Sequence, residues 1–138
     1  EFNIIENTYS DTDIAFSPNV IAGSQLSWNF LSEVLGDDSF ELALLSKYVG
    51  KQFLDNTNNE ARSLDAYFVN DVRFRYVLKN TFLKELSLTL LVNNVFSEEY
   101  SANGYTFGYQ GGPDYVVREN YYYPQALRNF LLTLAIKF

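Results

Sequence analysis

Cysteine, histidine and methionine are all absent from the 138 residues. Their absence excludes a disulfide framework, thiolate metal sites, the commonest zinc ligand, and nucleophile systems of the Ser-His-Asp or Cys-His kind. Positive charge is scarce as well. Ten Lys and Arg face 17 Asp and Glu, a formal charge of -7 with a pI near 4.4, which argues against binding a nucleic-acid backbone. No run approaches the roughly 18 to 20 apolar residues of a membrane helix, and residue 1 opens neither a signal peptide nor a lipidation motif. Any signal peptide is expected upstream, in a longer chain. A transmembrane strand is not excluded, because it carries only about ten residues of alternating pattern.

Aromatics are abundant: 12 Phe and 11 Tyr, 17% of the chain with the single Trp. They are interleaved with polar residues, so mean hydropathy stays slightly negative. The length suits one domain with a real core.

Five segments alternate with period two, and none holds a helical period for long. The first, VIAGSQLSWNFL, follows Pro18 and sets Val20, Ala22, Leu26, Trp28 and Phe30 against Gly23, Gln25, Ser27 and Asn29. In FELALLSKYVGKQFL, Phe40, Leu42, Leu44 and Tyr48 oppose Glu41, Lys47 and Lys51, before a polar tip at Asp55 to Ala61. SLDAYFVNDVRFRYVL sets Phe68, Val72, Phe74 and Tyr76 against Asp71, Arg73 and Arg75, with Asn70 a misfit in the apolar row. LSLTLLVNNVF sets Leu86, Leu88, Leu90 and Val92 against Ser87, Thr89 and Asn93. After a Gly- and Tyr-rich connection from Ser97 to about Tyr122, NFLLTLAIKF aligns Phe130, Leu132, Leu134, Ile136 and Phe138.

Through the middle of all five segments every charged residue falls in the polar row. A lipid-facing row must exclude charge, since Lys or Arg at mid-bilayer costs about 2 to 4 kcal/mol. A sandwich core excludes charge too, but sandwich strands run about five or six residues and these alternate for ten or more. Aromatics also gather near the segment ends, at Trp28 and Phe30, Tyr48, Phe74 and Tyr76, Phe96 and Tyr100, and Tyr121 to Tyr123, as interfacial girdles do. Short turns at Glu33 to Ser39 and Lys79 to Glu85 alternate with the Asp55 tip and the Ser97 to Tyr122 connection. That alternation matches short periplasmic turns and longer outer loops. The fold class read from the sequence is therefore all-β, an antiparallel transmembrane β-barrel. Five strands cannot close one, because membrane barrels start at eight and an open edge in lipid leaves amides unpaired. Residues 1–138 are expected to be the C-terminal part of a larger barrel whose earlier strands lie upstream.

The pieces FSPNVIAGSQLSW, KYVGKQFLDNT, LDAYFVNDVRFRY, LTLLVNNVFSEEY and NFLLTLAIKF, in that order, make the chain resemble the C-terminal end of a TonB-dependent outer-membrane receptor of the Bacteroidetes kind. The resemblance implies the last five or so strands of a 22-stranded, plugged transporter in the bacterial outer membrane. It implies uptake of a scarce nutrient such as an iron chelate, haem or a cobalamin. Its partners would be outer-membrane lipid, the receptor's own plug domain, the TonB energy-coupling complex, the barrel-assembly machinery and a possible surface lipoprotein. No cofactor, metal or enzymatic activity is expected. The resemblance also gives Phe130, Leu132, Leu134, Ile136 and Phe138 the role of an assembly signal, a terminal aromatic preceded by alternating apolar positions.

Among site candidates, Tyr105, Phe107, Tyr109 and Tyr115 in YTFGYQGGPDY offer rigid aromatic area on an outer loop for ligand contact. Lys47, Lys51, Asp71, Arg73 and Arg75 face the lumen, where pairing with one another or with a plug is favoured over substrate guidance. The Asp55 to Glu60 tip has oxygen ligands at alternate positions but lacks the Gly and the later Glu of a calcium loop, so a solvated turn is expected. Adjacent carboxylates at Asp37-Asp38 and Glu98-Glu99 sit at turns, and neighbours on a strand point to opposite faces, so acid-base work is not expected. The alternatives to an energised importer are a passive porin-like channel and a soluble β-sandwich binding or adhesion module.

Overall fold

The computed structural model describes residues 8–30, 38–79 and 83–138. In chain order the strands are β1 (Ile21–Phe30), β2 (Ser39–Val49), β3 (Gln52–Phe53), β4 (Ser63–Leu64), β5 (Tyr67–Lys79), β6 (Glu85–Asn93), β7 (Ser101–Gly112), β8 (Tyr115–Pro124) and β9 (Asn129–Lys137). A 3-10 turn at Glu60–Arg62 is the one helical element among the described residues. The protein is all-β, and every strand pair is antiparallel. Its residues gather into two compact units.

The first unit comprises Ile21–Val49, Tyr67–Glu99 and Ala126–Phe138. It is one five-stranded sheet in the order β1-β2-β5-β6-β9, made by the five segments whose alternation the sequence displays. Pairing runs without a register shift. Phe30, Phe40, Tyr76, Leu88 and Leu134 form one cross-strand row, Trp28, Leu42, Phe74, Leu90 and Leu132 the next, and Leu26, Leu44, Val72, Val92 and Phe130 the next. Directly opposed residues share a face, so the apolar rows join into one continuous surface. Glu41, Lys47, Asp71, Arg73, Arg75, Lys79, Glu85 and Lys137 all lie on the other face.

Burial of the two faces is the reverse of that in a water-soluble sheet. On the central strands the well-covered positions Ala43, Val49, Tyr67, Val77 and Ser87 belong to the charged face. On the same strands Phe68, Phe74 and Leu88 of the charge-free face are exposed, whereas β1 and β9 are exposed on both faces. The exception is Asn70, the misfit of the sequence reading. It is buried, and its Oδ1 accepts the Ser46 hydroxyl from the directly opposed position at 2.6 Å. The structure thus supplies Asn70 with a partner that the alternation alone does not reveal.

Strand direction puts the two short connections and Phe138 at one end of the sheet. From the other end the chain leaves twice, after Val49 and after Asn93, and there it also enters β1. Most of the Glu33 to Ser39 turn, with Asp37, and the middle of the Lys79 to Glu85 turn lie outside the described residues.

The second unit comprises Glu1–Val20, Gly50–Ala66 and Tyr100–Gln125. It departs from the sequence expectation at two places. β2 ends at Val49 and a separate short strand begins at Gln52, with the Gly50 N–H between them donating to the Val20 carbonyl at 2.8 Å; the long second segment is therefore a strand followed by a separate short one. Ser97 to Tyr122 is not an open loop either. It is mostly the β7–β8 hairpin, closed by Pro113 and Asp114 and carrying irregularities between Ser101 and Asn103 and between Gln110 and Gly112.

The buried Asn70–Ser46 pair yields a test. Asn70→Ala strands the Ser46 hydroxyl on the apolar face and should destabilise the sheet by about 1 to 3 kcal/mol, whereas removing both partners together should recover much of that loss. Urea melts of the single and double variants read the difference.

Candidate functional site

Two surfaces carry the side chains with chemistry. The first is the charged face of the five-stranded sheet. Arg73 and Glu41 form an ion pair, Nη2 to Oε1 at 2.8 Å. Arg75, directly opposite Glu41, and Lys47 have no ion-pair partner among the described residues. Asp71 accepts the backbone N–H of Asn94 at 2.8 Å. Lys47, Asp71, Arg73 and Arg75 thus share one face, as the alternation predicts. Lys51 does not join them: it lies past the end of β2 and pairs with Glu60 in the second unit. Lys51 also sits over the ring of Phe53, 5.2 Å from its centroid, a cation–π contact.

Asn94 is the residue that sequence reasoning passed over. It has φ of 49°, a left-handed conformation that Asn tolerates better than most residues, and it is buried. Its side chain donates to the carbonyls of Glu98 and Ala126 and accepts the N–H of Glu98, tying the exit of β6 to the approach to β9. The Asn-Asn pair at 93 and 94 is the sequence signal for such a turn. Glu98 is held there through its backbone.

The second surface is the β7–β8 hairpin. Tyr105, Phe107 and Tyr109 alternate along β7, and Tyr121 and Tyr123 along β8, on one face. Their rings form a continuous ladder. Tyr105 stacks on Tyr121 at 5.0 Å and 12°, Phe107 on Tyr121 at 6.0 Å and 8°, and Phe107 on Tyr109 at 6.0 Å and 25°. Tyr123 joins through Tyr105 at 6.1 Å. Such pairs contribute about 0.5 to 1.5 kcal/mol each beyond the area they bury. Tyr115, the fourth candidate, stands apart, its ring over Gly111 and Gly112, where added Cβ atoms would lie 2.4 Å from it. The opposite face of the hairpin is held to the chain before it. A Cβ at Gly104 would come within 2.6 Å of the Tyr121 carbonyl and 3.3 Å of Leu54, and Asn120 donates to the Ala61 carbonyl at 2.8 Å.

The Asp55 to Glu60 tip is a hydrogen-bonded turn with Asn56, Asn59 and Glu60 exposed. Asn56 accepts the N–H of Ala15, Asn58 that of Asp13 and Asn59 that of Ala61. Asp55 accepts the N–H and hydroxyl of Thr57. Its other oxygen lies 2.9 Å from Arg62 Nε, an ion pair by distance, although the N–H is not aimed at it. These oxygens fasten the segment before Pro18 to the tip. Phe130, Leu132, Leu134 and Ile136 are exposed along β9, and Phe138 follows it at 82% exposure.

The Tyr121 phenol donates to Glu119 Oε2 at 2.9 Å, and this hydrogen bond, with the carboxylate's charge, raises its pKa above the ordinary tyrosine value. A raised pKa in the folded state means that the contribution to stability is full below the unfolded phenol's pKa and is lost as pH rises through the folded one. Tyrosine absorbance titrated with alkali should therefore include a late phenol that Glu119→Gln moves back toward the ordinary tyrosine value. Comparison with protein-family models, curated proteins and solved structures gives no match for this chain.

Proposed function

We propose that the five-stranded sheet is a section of the wall of an outer-membrane β-barrel, within an energised importer of the TonB-dependent receptor kind that takes up a scarce nutrient. The observation that carries this reading is the burial of the central strands β2, β5 and β6: large side chains of the charge-free face stand exposed there, and most of the best-covered positions belong to the face that holds the charges. In water a continuous apolar face spanning five strands is a surface that soluble proteins seldom leave open. In a bilayer that face meets lipid and the charged face lines the lumen.

Dimensions support the same reading. From Phe68 to Tyr76, aromatics near the two ends of the apolar row on β5, eight steps span about 27 Å along the strand, or about 20 Å of depth at a barrel tilt near 40°, close to the apolar band of such proteins. Aliphatic positions of the same face lie between aromatics on β2, Phe40 and Tyr48, and around β9, Phe130 and Phe138. The mechanism that follows is capture at the outer end, then passage along the charged face past a plug moved by an inner-membrane motor. This section supplies wall, lumen lining and the β7–β8 hairpin. Its chemistry is that of transport and not of catalysis.

Arginine scanning of the full-length protein tests the faces. Arg at Leu90 or Leu134 should weaken insertion into vesicles by about 2 to 4 kcal/mol, and Arg at Thr89 or Thr133, on the charged face, should leave it nearly unchanged. Equal effects on both faces would defeat the reading. Orientation has its own measurement. An epitope between Gly111 and Gly112 should be labelled on intact cells, and labelling confined to ruptured cells would reverse the topology. Deleting Phe138 should leave unassembled precursor accumulating in a pulse-chase, while barrels already assembled keep their usual melting temperature.

A further inference from the structure

The charged face holds a cavity that the pairing of its side chains does not use. It has a volume of about 410 Å³ and lies over β1, β2 and β5, within the size range of small-ligand pockets. Three features define it. Gly23, on the edge strand, leaves the space, since a Cβ there would meet nothing closer than a carbonyl oxygen at 3.7 Å. Ile21, Leu45 and Val69 supply an aliphatic floor. Lys47 and Asp71 supply opposite charges on diagonal positions of neighbouring strands, because Lys47 is opposed by Val69 and Asp71 by Leu45.

Diagonal neighbours on a sheet are within reach of long side chains, yet Lys47 and Asp71 form no ion pair. Lys47 has no partner among the described residues, and Asp71 receives only the Asn94 N–H, on Oδ1, which leaves Oδ2 free to accept. A cation and a carboxylate acceptor therefore border one aliphatic pocket without neutralising each other. An anion would meet Asp71 and a cation would meet Lys47; a molecule carrying both charges satisfies both.

The geometry points to a binding site for a small zwitterion with an aliphatic body, the chemistry of an apolar amino acid or dipeptide, its carboxylate on Lys47 and its ammonium on Asp71. The inference rests on the reading that this face lines a lumen, and it adds a ligand class to that reading.

Titration calorimetry of the full-length protein in detergent tests it with glycyl-leucine as the probe. N-acetyl-glycyl-leucine, which lacks the cation, and glycyl-leucinamide, which lacks the carboxylate, are the comparisons. The unmodified dipeptide should bind at least tenfold more tightly than either. Lys47→Gln should abolish its advantage over the amide, and Asp71→Asn, which can still accept the Asn94 N–H, its advantage over the acetylated form. Gly23→Val should weaken all three by filling the pocket. Absence of binding at millimolar dipeptide, or preferences that survive these substitutions, would overturn the site. Flotation of the same preparation with lipid vesicles is read separately. Protein that binds glycyl-leucine without entering vesicles loses the lumen reading and keeps the site; protein that inserts without binding loses the site alone.

Discussion

Everything in the larger unit depends on strand register. Side chains alternate with a period of two, so a slip of one residue in any pair would carry Glu41, Arg73 or Arg75 into the rows of Leu and Phe. Short turns can hold the register of β1 with β2 and of β5 with β6. The other two pairs are closed by long excursions, which specify register poorly, and polar clamps sit at those pairs. Between β2 and β5 there is one on each face, Ser46 to Asn70 and Glu41 to Arg73. Between β6 and β9 the Asn93 side chain donates to Asn129 from the opposed position at 2.8 Å, and Asn94 reaches the Ala126 carbonyl. The polar residues that look out of place in an apolar pattern are thus concentrated where the chain itself cannot fix the pairing. Asp38 adds a clamp near the short-turn end, accepting the Lys79 N–H at 2.8 Å and the Tyr76 hydroxyl at 3.2 Å.

This explains what the sequence makes legible. Alternation is a local property, and five strands with their two faces follow from it directly, as does the shared face of Lys47, Asp71, Arg73 and Arg75. What it hides is non-local. Asn70 reads as an error until Ser46 is placed opposite it, 24 positions away. Lys51 keeps the period of the polar row, but the period carries no sign that the strand stops at Val49 and a new one begins at Gln52. The aromatic segment from Tyr105 to Tyr115 reads as a loop because its glycines are conspicuous, although Tyr105, Phe107 and Tyr109 already alternate and Gly-Gly-Pro-Asp is a turn signal between alternating runs. The Asp55 to Glu60 tip has the composition of a solvated turn, and only its distant partners Asp13 and Ala15 show that it is a fastening.

The smaller unit has to hold its shape with little core. Leu54 and Leu64 are its buried apolar side chains among the described residues, and a two-stranded hairpin alone is marginal in water. Side-chain-to-backbone hydrogen bonds at Asn56, Asn58 and Asn59 and the Asp55–Arg62 pair substitute for hydrophobic burial on the tip. The aromatic ladder does the same for β7 and β8. Five rings that stack on one another are engaged in holding two strands together, so the exposure of Tyr105, Phe107 and Tyr109 does not by itself make them a ligand surface.

The charged face differs in this respect, and the difference lies in what its groups still lack. The ladder aromatics satisfy one another, Asp55 and Arg62 satisfy one another, and Glu41 is taken by Arg73. Among the described residues Lys47 is left with an unpaired charge and Asp71 with a free carboxylate oxygen, although each is within a diagonal step of the other. Charged groups beside apolar surface gain from being paired, and two opposite charges at this spacing on ordinary strands would be expected to close on each other. With the space above Gly23 open between them, the arrangement keeps both charges available to a third party.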